Sequence, residues 1–234
     1  MQDQVDQPQG QGQNHYLHVN ATLEGNPEPL TVSFEVQGDG LDQASGTLHV
    51  LFPQADYSRV FAGQDLGTMD ILELEGSGQA WIEVEEGQLN AASVEFDIPG
   101  VTISGKSEEQ ARQPESEQLG LTNLKGMARL SHNSEESAWE LALANMSVTY
   151  RSDSWQSFNA QALFTPDQLV EIAADHLDLG LLARLAGDSG VLPIDAAADL
   201  KGFNPDGSLQ NVSLSLPISE TAGRPLTLKT NIAN

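Results

Sequence analysis

The chain has 234 residues, 34 of them acidic and 10 basic, which gives a formal net charge of −24 at pH 7. So negative a chain repels phosphate backbones and anionic membrane surfaces, which argues against a nucleic-acid-binding protein. Because it has no cysteine, disulfides, thiolate metal sites and a cysteine nucleophile are excluded, and no run reaches the ~18 apolar residues of a membrane span.

From the two ends of the chain we expect it to be a piece of a longer protein. Residues 1–14 form a Gln-, Gly- and Asp-rich tract that we predict to be a disordered head. This tract lacks the basic and then apolar pattern of a signal peptide. The last residues, "LTLKTNIAN", stop inside an alternating pattern.

Between the two ends, apolar and polar residues alternate with the period of two that half-buried β-strands show. Glycine, asparagine, aspartate and proline interrupt the alternation at nearly every gap. The strongest runs are 17–23, 30–36, 48–52, 80–84, 94–98, 139–143, 146–150, 158–164 and 209–216.

Four other segments depart from this alternation. "ADYSRVFAG" (55–63) and "DLGLLARLAG" (178–187) have helical spacing and end in glycine, which predicts one or two short helices. The charged stretch 105–120 predicts a long loop. "NPDG" (204–207) predicts a tight turn, which we place between two strands.

An internal repeat is also present. Gly87 and Leu89, with the residues after them, match Gly207 and Leu209 at an offset of 120. We therefore divide the chain after the head, residues 15–234, into repeat-like halves at about 15–110 and 120–234. A repeated β unit predicts an elongated structure built by stacking.

Two short motifs suggest catalysis but lack its context. "GVTISGKS" (100–107) fits the phosphate-loop pattern, yet its spacers alternate as in a strand and two glutamates follow. "GDSG" (187–190) resembles a serine-protease nucleophile segment, but no histidine stands in a matching context. We predict that the chain is not an enzyme and binds no cofactor.

No metal site is predicted either. His15 and His18 are three residues apart, so on a strand they point to opposite faces. Asp39, Asp42 and Asp206 lie near glycines but lack the other oxygen ligands of a calcium loop.

Four segments carry an ordered set of motifs. "GSGQAWIEVEEGQLNAASVEFDI" (76–98) has a Gly-x-Gly entry into a Trp-containing strand, and "AWELALANMSV" (138–148) has Trp-x-Leu-x-Leu-x-Asn-Met. "ADHLDLGLLARLAG" (174–187) passes from a strand into a Leu-rich helix, and "FNPDGSLQNVSLSLP" (203–217) has Pro-x-Gly-x-Leu-x-Asn-x-x-Leu. In this order, these segments resemble the AsmA-like superfamily of bacterial envelope proteins and, within it, the YhdP-type members. Because the motifs do not include that family's N-terminal membrane anchor or its C-terminal part, we expect the chain to be one segment of a much longer protein.

The resemblance implies a mainly β, elongated, curled antiparallel sheet that forms an open, taco-like hydrophobic groove. It also implies a segment of a periplasmic bridge-like protein of a Gram-negative bacterium, tethered to the inner membrane, that carries phospholipid toward the outer membrane with the acyl chains in the groove. On the apolar phase of the strands we expect the lining residues to be Val32, Phe34, Val36, Leu48, Val50, Ile82, Val84, Val94, Phe96, Leu141, Leu143, Val148, Leu214 and Leu216.

Alternation alone leaves another structure open, because it does not say what covers the apolar side of a strand. The alternative is a non-catalytic interaction or carbohydrate-binding β-sandwich of an envelope or secreted protein. In that case a second sheet would seal the same residues into a core.

Overall fold

One antiparallel sheet of eleven strands, with each strand beside its neighbours in sequence, makes up most of the protein. The computed structural model describes residues 14–22, 26–38, 40, 43–61, 69–105, 118–134, 137–165, 169–189, 194–217 and 227–233. Residues 1–13 of the predicted head lie outside this description. So do Asp39, Asp42 and most of the predicted long loop.

The sheet is a simple meander. Its strands are β1 (Asn14–Thr22), β2 (Pro29–Gln37), β3 (Ser45–Asp56), β4 (Met69–Glu85), β5 (Gln88–Gly105), β6 (Gln118–Asn133), β7 (Ala138–Tyr150), β8 (Asp153–Phe164), β9 (Leu169–Asp178), β10 (Ser208–Pro217) and β11 (Thr227–Ala233). The sheet is curled and does not close on itself, as expected of an open twisted sheet of more than ~10 strands. The predicted curled, mainly β fold is confirmed.

Three short helices lie among the described residues. They are α1 (Ser58–Phe61), α2 (Leu179–Asp188) and α3 (Ile194–Phe203). The first two occupy the segments with helical spacing, whereas α3 was not predicted from the sequence. None of these described helices is long and apolar enough to cross a membrane.

The prediction of a turn between two strands at 204–207 was wrong in its placement. The segment follows α3 and leads into β10. Gly207 has a φ of +103°, and its carbonyl accepts a hydrogen bond from Leu179 N–H at 3.0 Å. The bend therefore brings the chain back beside the start of α2.

Left-handed asparagines interrupt three of the strands. Asn123, Asn145 and Asn211 have φ values of 51°, 53° and 51°, and the strand register shifts beside each of them. Asparagine tolerates this conformation better than most residues. β-Bulges bend the strand and increase its local twist, so these positions contribute to the curl of the sheet.

A ladder of polar side chains supports the bulge in β7. Asn159 Oδ1 accepts from the Asn145 backbone N–H at 3.0 Å, and Asp175 Oδ1 accepts from the Asn159 N–H at 2.9 Å. Asn159 Nδ2 also donates to Asp175 Oδ2 at 2.7 Å. Burial would raise the pKa of Asp175, but the two hydrogen bonds from Asn159, together with the backbone hydrogen bond and the charge of His176, outweigh it and lower the pKa. The ladder thus ties β7, β8 and β9 together at the bulge.

We predict that asparagine stabilises the fold at position 145 because it tolerates a positive φ, and not because of the size of its side chain. Asn145→Val should lower the free energy of unfolding by about 1–3 kcal/mol, because a β-branched residue is strained at positive φ. Asn145→Gly keeps the N–H that Asn159 accepts and accommodates positive φ, so it should change stability by about 0.5 kcal/mol or less. Urea unfolding measures both, and equal losses for the two variants would contradict this assignment.

Candidate functional site

Two rows of apolar side chains cross ten strands on one face of the sheet. Directly opposed residues of an antiparallel pair point to the same face, so the register defines each row. The first apolar row is Leu17, Phe34, Leu48, Ile82, Ala92, Leu130, Leu141, Ala162, Ile172 and Leu214. The second apolar row is Val19, Val32, Val50, Ala80, Val94, Ala128, Leu143, Ala160, Ala174 and Val212.

The face that carries these rows, called the apolar face below, is neither sealed nor freely exposed. Leu17 and Val19 at the β1 edge are exposed, and Ala174 and Val212 are buried. The other sixteen row residues are half-buried. All described strands belong to the same sheet, so within the described part of the chain no second sheet packs on this face.

Most of the lining residues expected from the sequence fall in these rows. Five of the fourteen, Phe34, Leu48, Ile82, Leu141 and Leu214, lie in the first row. Four more, Val32, Val50, Val94 and Leu143, lie in the second row. Their contact with lipid remains a prediction.

The other five expected residues lie beside the rows. Val36 and Val84 both pair with Gly46 on one side, and Phe96 pairs with Gly78 on the other. Leu216 pairs through its backbone with Val170. Val148 differs from the rest, because it is buried under a helix.

Helix α2 closes one part of the apolar face. Its Leu181 is 1% exposed and packs with Leu119, Val148, Tyr150 and Trp155 in the core cluster. Asp178 caps the helix, with Oδ1 accepting from Leu181 N–H at 2.8 Å. Val148 is therefore part of a closed core, which strand alternation could not distinguish from an open lining.

A buried carboxylate holds α2 and α3 to the sheet. Asp188, whose side chain is 8% exposed, accepts from Tyr150 OH at 2.7 Å. Its two oxygens also contact Lys201 Nζ at 2.8 Å and Arg151 Nη2 at 3.0 Å. Burial would raise the pKa of Asp188, but Lys201, Tyr150 and Arg151 outweigh it and lower the pKa. Burial and the bond to Asp188 together raise the pKa of Tyr150 to about 12.

Helix α1 lies over another part of the apolar face without closing it. Between the helix and strands β2–β5 there is a cavity of about 270 Å³ with an entirely apolar lining surface. Its lining includes Phe52, Val60, Leu74 and Ile98, together with Val94 of the second apolar row. The cavity is thus continuous with that row.

The opposite face of the sheet, the polar face, carries charges and hydrogen bonds. Lys125 pairs with Asp97 at 2.8 Å and Arg129 with Glu83 at 3.4 Å. His49 stacks on Trp81 there, with ring centroids 5.2 Å apart. The described residues include no group of three side chains that could hold a metal ion.

Sequence reasoning missed several members of the rows, above all on β6. Leu119 and Leu121 start an alternation that Asn123 shifts by one residue, after which Ala128 and Leu130 continue it. Ala80, Ala160 and Ala162 lie in the predicted alternating runs, but no row alanine was among the expected lining residues, because a small side chain gives little hydrophobic signal. An asparagine at the break of an alternating run is the signal that could have located β6.

The low pKa of Asp188 predicts how the docking of α2 and α3 depends on pH. The pKa of Asp188 is lower in the folded chain than its unfolded value of 3.8, so the ionised carboxylate stabilises the fold at pH values above 3.8. This contribution is lost as the pH falls through the folded-state pKa. Asp188→Asn should lower the free energy of unfolding by about 1–3 kcal/mol at pH 7. The difference from wild type should shrink below pH 3.8. Urea unfolding at several pH values tests this, and a difference that persists unchanged at low pH would contradict it.

Comparison with known proteins assigns the family. No curated protein and no solved structure matches the chain significantly. A family model described as YhdP protein matches residues 6–234, nearly the whole chain, and this confirms the resemblance found in the four motif segments. The chain belongs to the YhdP protein family.

Proposed function

We propose that this chain is a segment of a bridge-like lipid-transfer protein and shelters the acyl chains of phospholipids along its apolar face. The observation that carries the proposal is the pair of apolar rows, which cross ten strands without one polar residue. No described sheet packs on them. Membership of the YhdP family, an AsmA-like group, supports the same reading.

A hydrocarbon chain can cover such an apolar face, because burial of apolar surface stabilises both partners. Each CH₂ group taken out of water is stabilised by about 0.8 kcal/mol, and the half-buried leucines, valines, isoleucines and Phe34 of the rows gain by the same burial. An acyl chain on the rows would therefore take the place of the second sheet that a β-sandwich supplies. Because the described strands form a single sheet, the alternative β-sandwich lacks its facing layer among the described residues.

The uniform chemistry of the rows suits movement rather than tight binding. Dispersion contacts are non-directional and individually small, so neighbouring positions along a row offer nearly equal stabilisation. A polar headgroup would remain in water at the margin of the face, since burying it unpaired is costly. This role needs no catalytic residue, and we propose a non-enzymatic protein.

The charge of the chain bears on where lipids enter. With a net charge of −24, adsorption of the polar face to an anionic bilayer is unfavourable. We therefore propose that lipid passes along the apolar face from another part of the same longer protein. In this proposal the full-length protein is tethered to the inner membrane of a Gram-negative bacterium and extends through the periplasm toward the outer membrane.

Adjacent residues of β7 provide a matched test. Leu141 lies in the first apolar row, whereas Ala142 pairs with Arg129 and Gln161 on the polar face. Leu141→Asp places a carboxylate in the path of the acyl chain and should reduce co-purifying phospholipid about tenfold or more, because an unpaired buried charge costs several kcal/mol. Ala142→Asp adds the same charge beside Arg129 and should leave the phospholipid content unchanged.

Native mass spectrometry and lipid extraction of the purified variants measure the bound phospholipid, and circular dichroism checks that both remain folded. Equal phospholipid content in two folded variants would contradict the proposal. So would a wild-type chain that carries no phospholipid and takes none up from vesicles.

A further inference from the structure

The two helices that follow β3 and β9 cover the apolar face in different ways. Leu181 of α2 is 1% exposed and contacts the side chains beneath it. In α1 no residue is buried, and Val60 is 55% exposed even though it lines the cavity beneath the helix. The covering of α2 is therefore closed, whereas that of α1 is open and leaves about 270 Å³ empty.

The covering by α1 is held in place by polar contacts that do not fill the cavity. Asp56 Oδ1 accepts from Ser58 N–H at 2.9 Å. Tyr57 N–H donates to the Leu74 carbonyl at 2.8 Å, and Leu74 N–H donates to Ser58 Oγ at 2.9 Å. These bonds fix α1 to β4 on the side of the cavity away from the rows.

The floor of the cavity is formed by two glycines, which have no side chain to fill the space. Gly76 and Gly78 of β4 line it, and a Cβ at Gly78 would lie 2.5 Å from the Glu95 carbonyl oxygen. The one aromatic hydroxyl nearby is already satisfied, because Tyr57 OH donates to the Pro53 carbonyl at 2.6 Å. The lining surface of the cavity is apolar, which favours a hydrocarbon group over a polar one.

The geometry points to a seat for the methyl end of one lipid acyl chain between α1 and strands β2–β5. This inference rests on the proposed function, since the same lipid would lie on the apolar rows. Val94 belongs both to the second row and to the cavity lining, so a chain on the rows can enter without crossing a polar group.

The size of the cavity and its apolar lining surface identify which part of the lipid it takes. An apolar cavity of about 150 Å³ holds benzene and stays free of water, so a cavity of 270 Å³ accommodates on the order of ten carbon atoms. The hydrogen-bonded junction of α1 and β4 lies at the far side of the cavity from the rows, and in this proposal an acyl chain that enters from the rows ends there. The headgroup remains outside, beyond the rows.

Nitroxide-labelled phosphatidylcholine and methyl NMR of the full 234-residue chain test this seat. One lipid carries the nitroxide near the methyl end of an acyl chain, and the other carries it near the headgroup. The methyl signals of Val60 and Leu74 should broaden several times more with the chain-end label than with the headgroup-end label. The methyl signals of Leu141 and Leu143 should broaden with both labels.

The pattern of broadening separates the seat from the proposed function. If the Leu141 and Leu143 signals broaden while those of Val60 and Leu74 do not, or do so equally with both labels, the seat is refuted and the lipid-bearing face stands. If no methyl signal broadens with either label, both are refuted.

Two variants of α1 provide a matched control. Val60→Trp fills the cavity from above and should abolish the chain-end broadening at Leu74 while leaving that at Leu143. Arg59→Trp adds the same bulk at an exposed neighbour outside the cavity lining and should leave both signals as in wild type. Unchanged Leu74 broadening in Val60→Trp would overturn the seat.

Discussion

The structure depends on the apolar side chains of ten strands all pointing to the same face of the sheet. A slip of one residue turns every side chain of a strand to the other face, so a single uncorrected bulge would place charges among the apolar rows. The bulges at Asn123, Asn145 and Asn211 occur where the register shifts, and beyond them the apolar alternation resumes at Leu121, Met146 and Leu209. Asparagine at positive φ, supported at β7 by Asn159 and Asp175, lets the sheet bend while the apolar face remains continuous.

The α2 region and the rest of the apolar face differ in how far protein covers them. Under α2, a closed core and the buried carboxylate of Asp188 fasten two helices to the strands. Elsewhere most residues of the same apolar phase are half-buried. The buried cluster that includes Leu181 lies in the α2 region, and no second sheet covers the rest of the apolar face within the described part of the chain. In the proposed function, acyl chains supply the missing contacts.

Much of the fold could be predicted from period-two alternation, because a half-buried strand shows its two faces directly in the sequence. The helix α3 was missed, although its alanines and the proline just before it favour a helix. Whether Val148 is covered depends on where α2 packs, which is a long-range contact that no local pattern reports. The cavity under α1 was also beyond prediction, because it arises from two glycines on β4 meeting a helix that follows β3.

The most direct measurement of the central claim is photocrosslinking from neighbouring positions of β2 in cells. Phe34 belongs to the first apolar row, and Glu35 lies next to it on the polar face. A benzophenone amino acid at position 34 should form adducts with phospholipid, and the same group at position 35 should form none. Equal adduct formation at both positions, or no lipid adduct at position 34, would contradict the account.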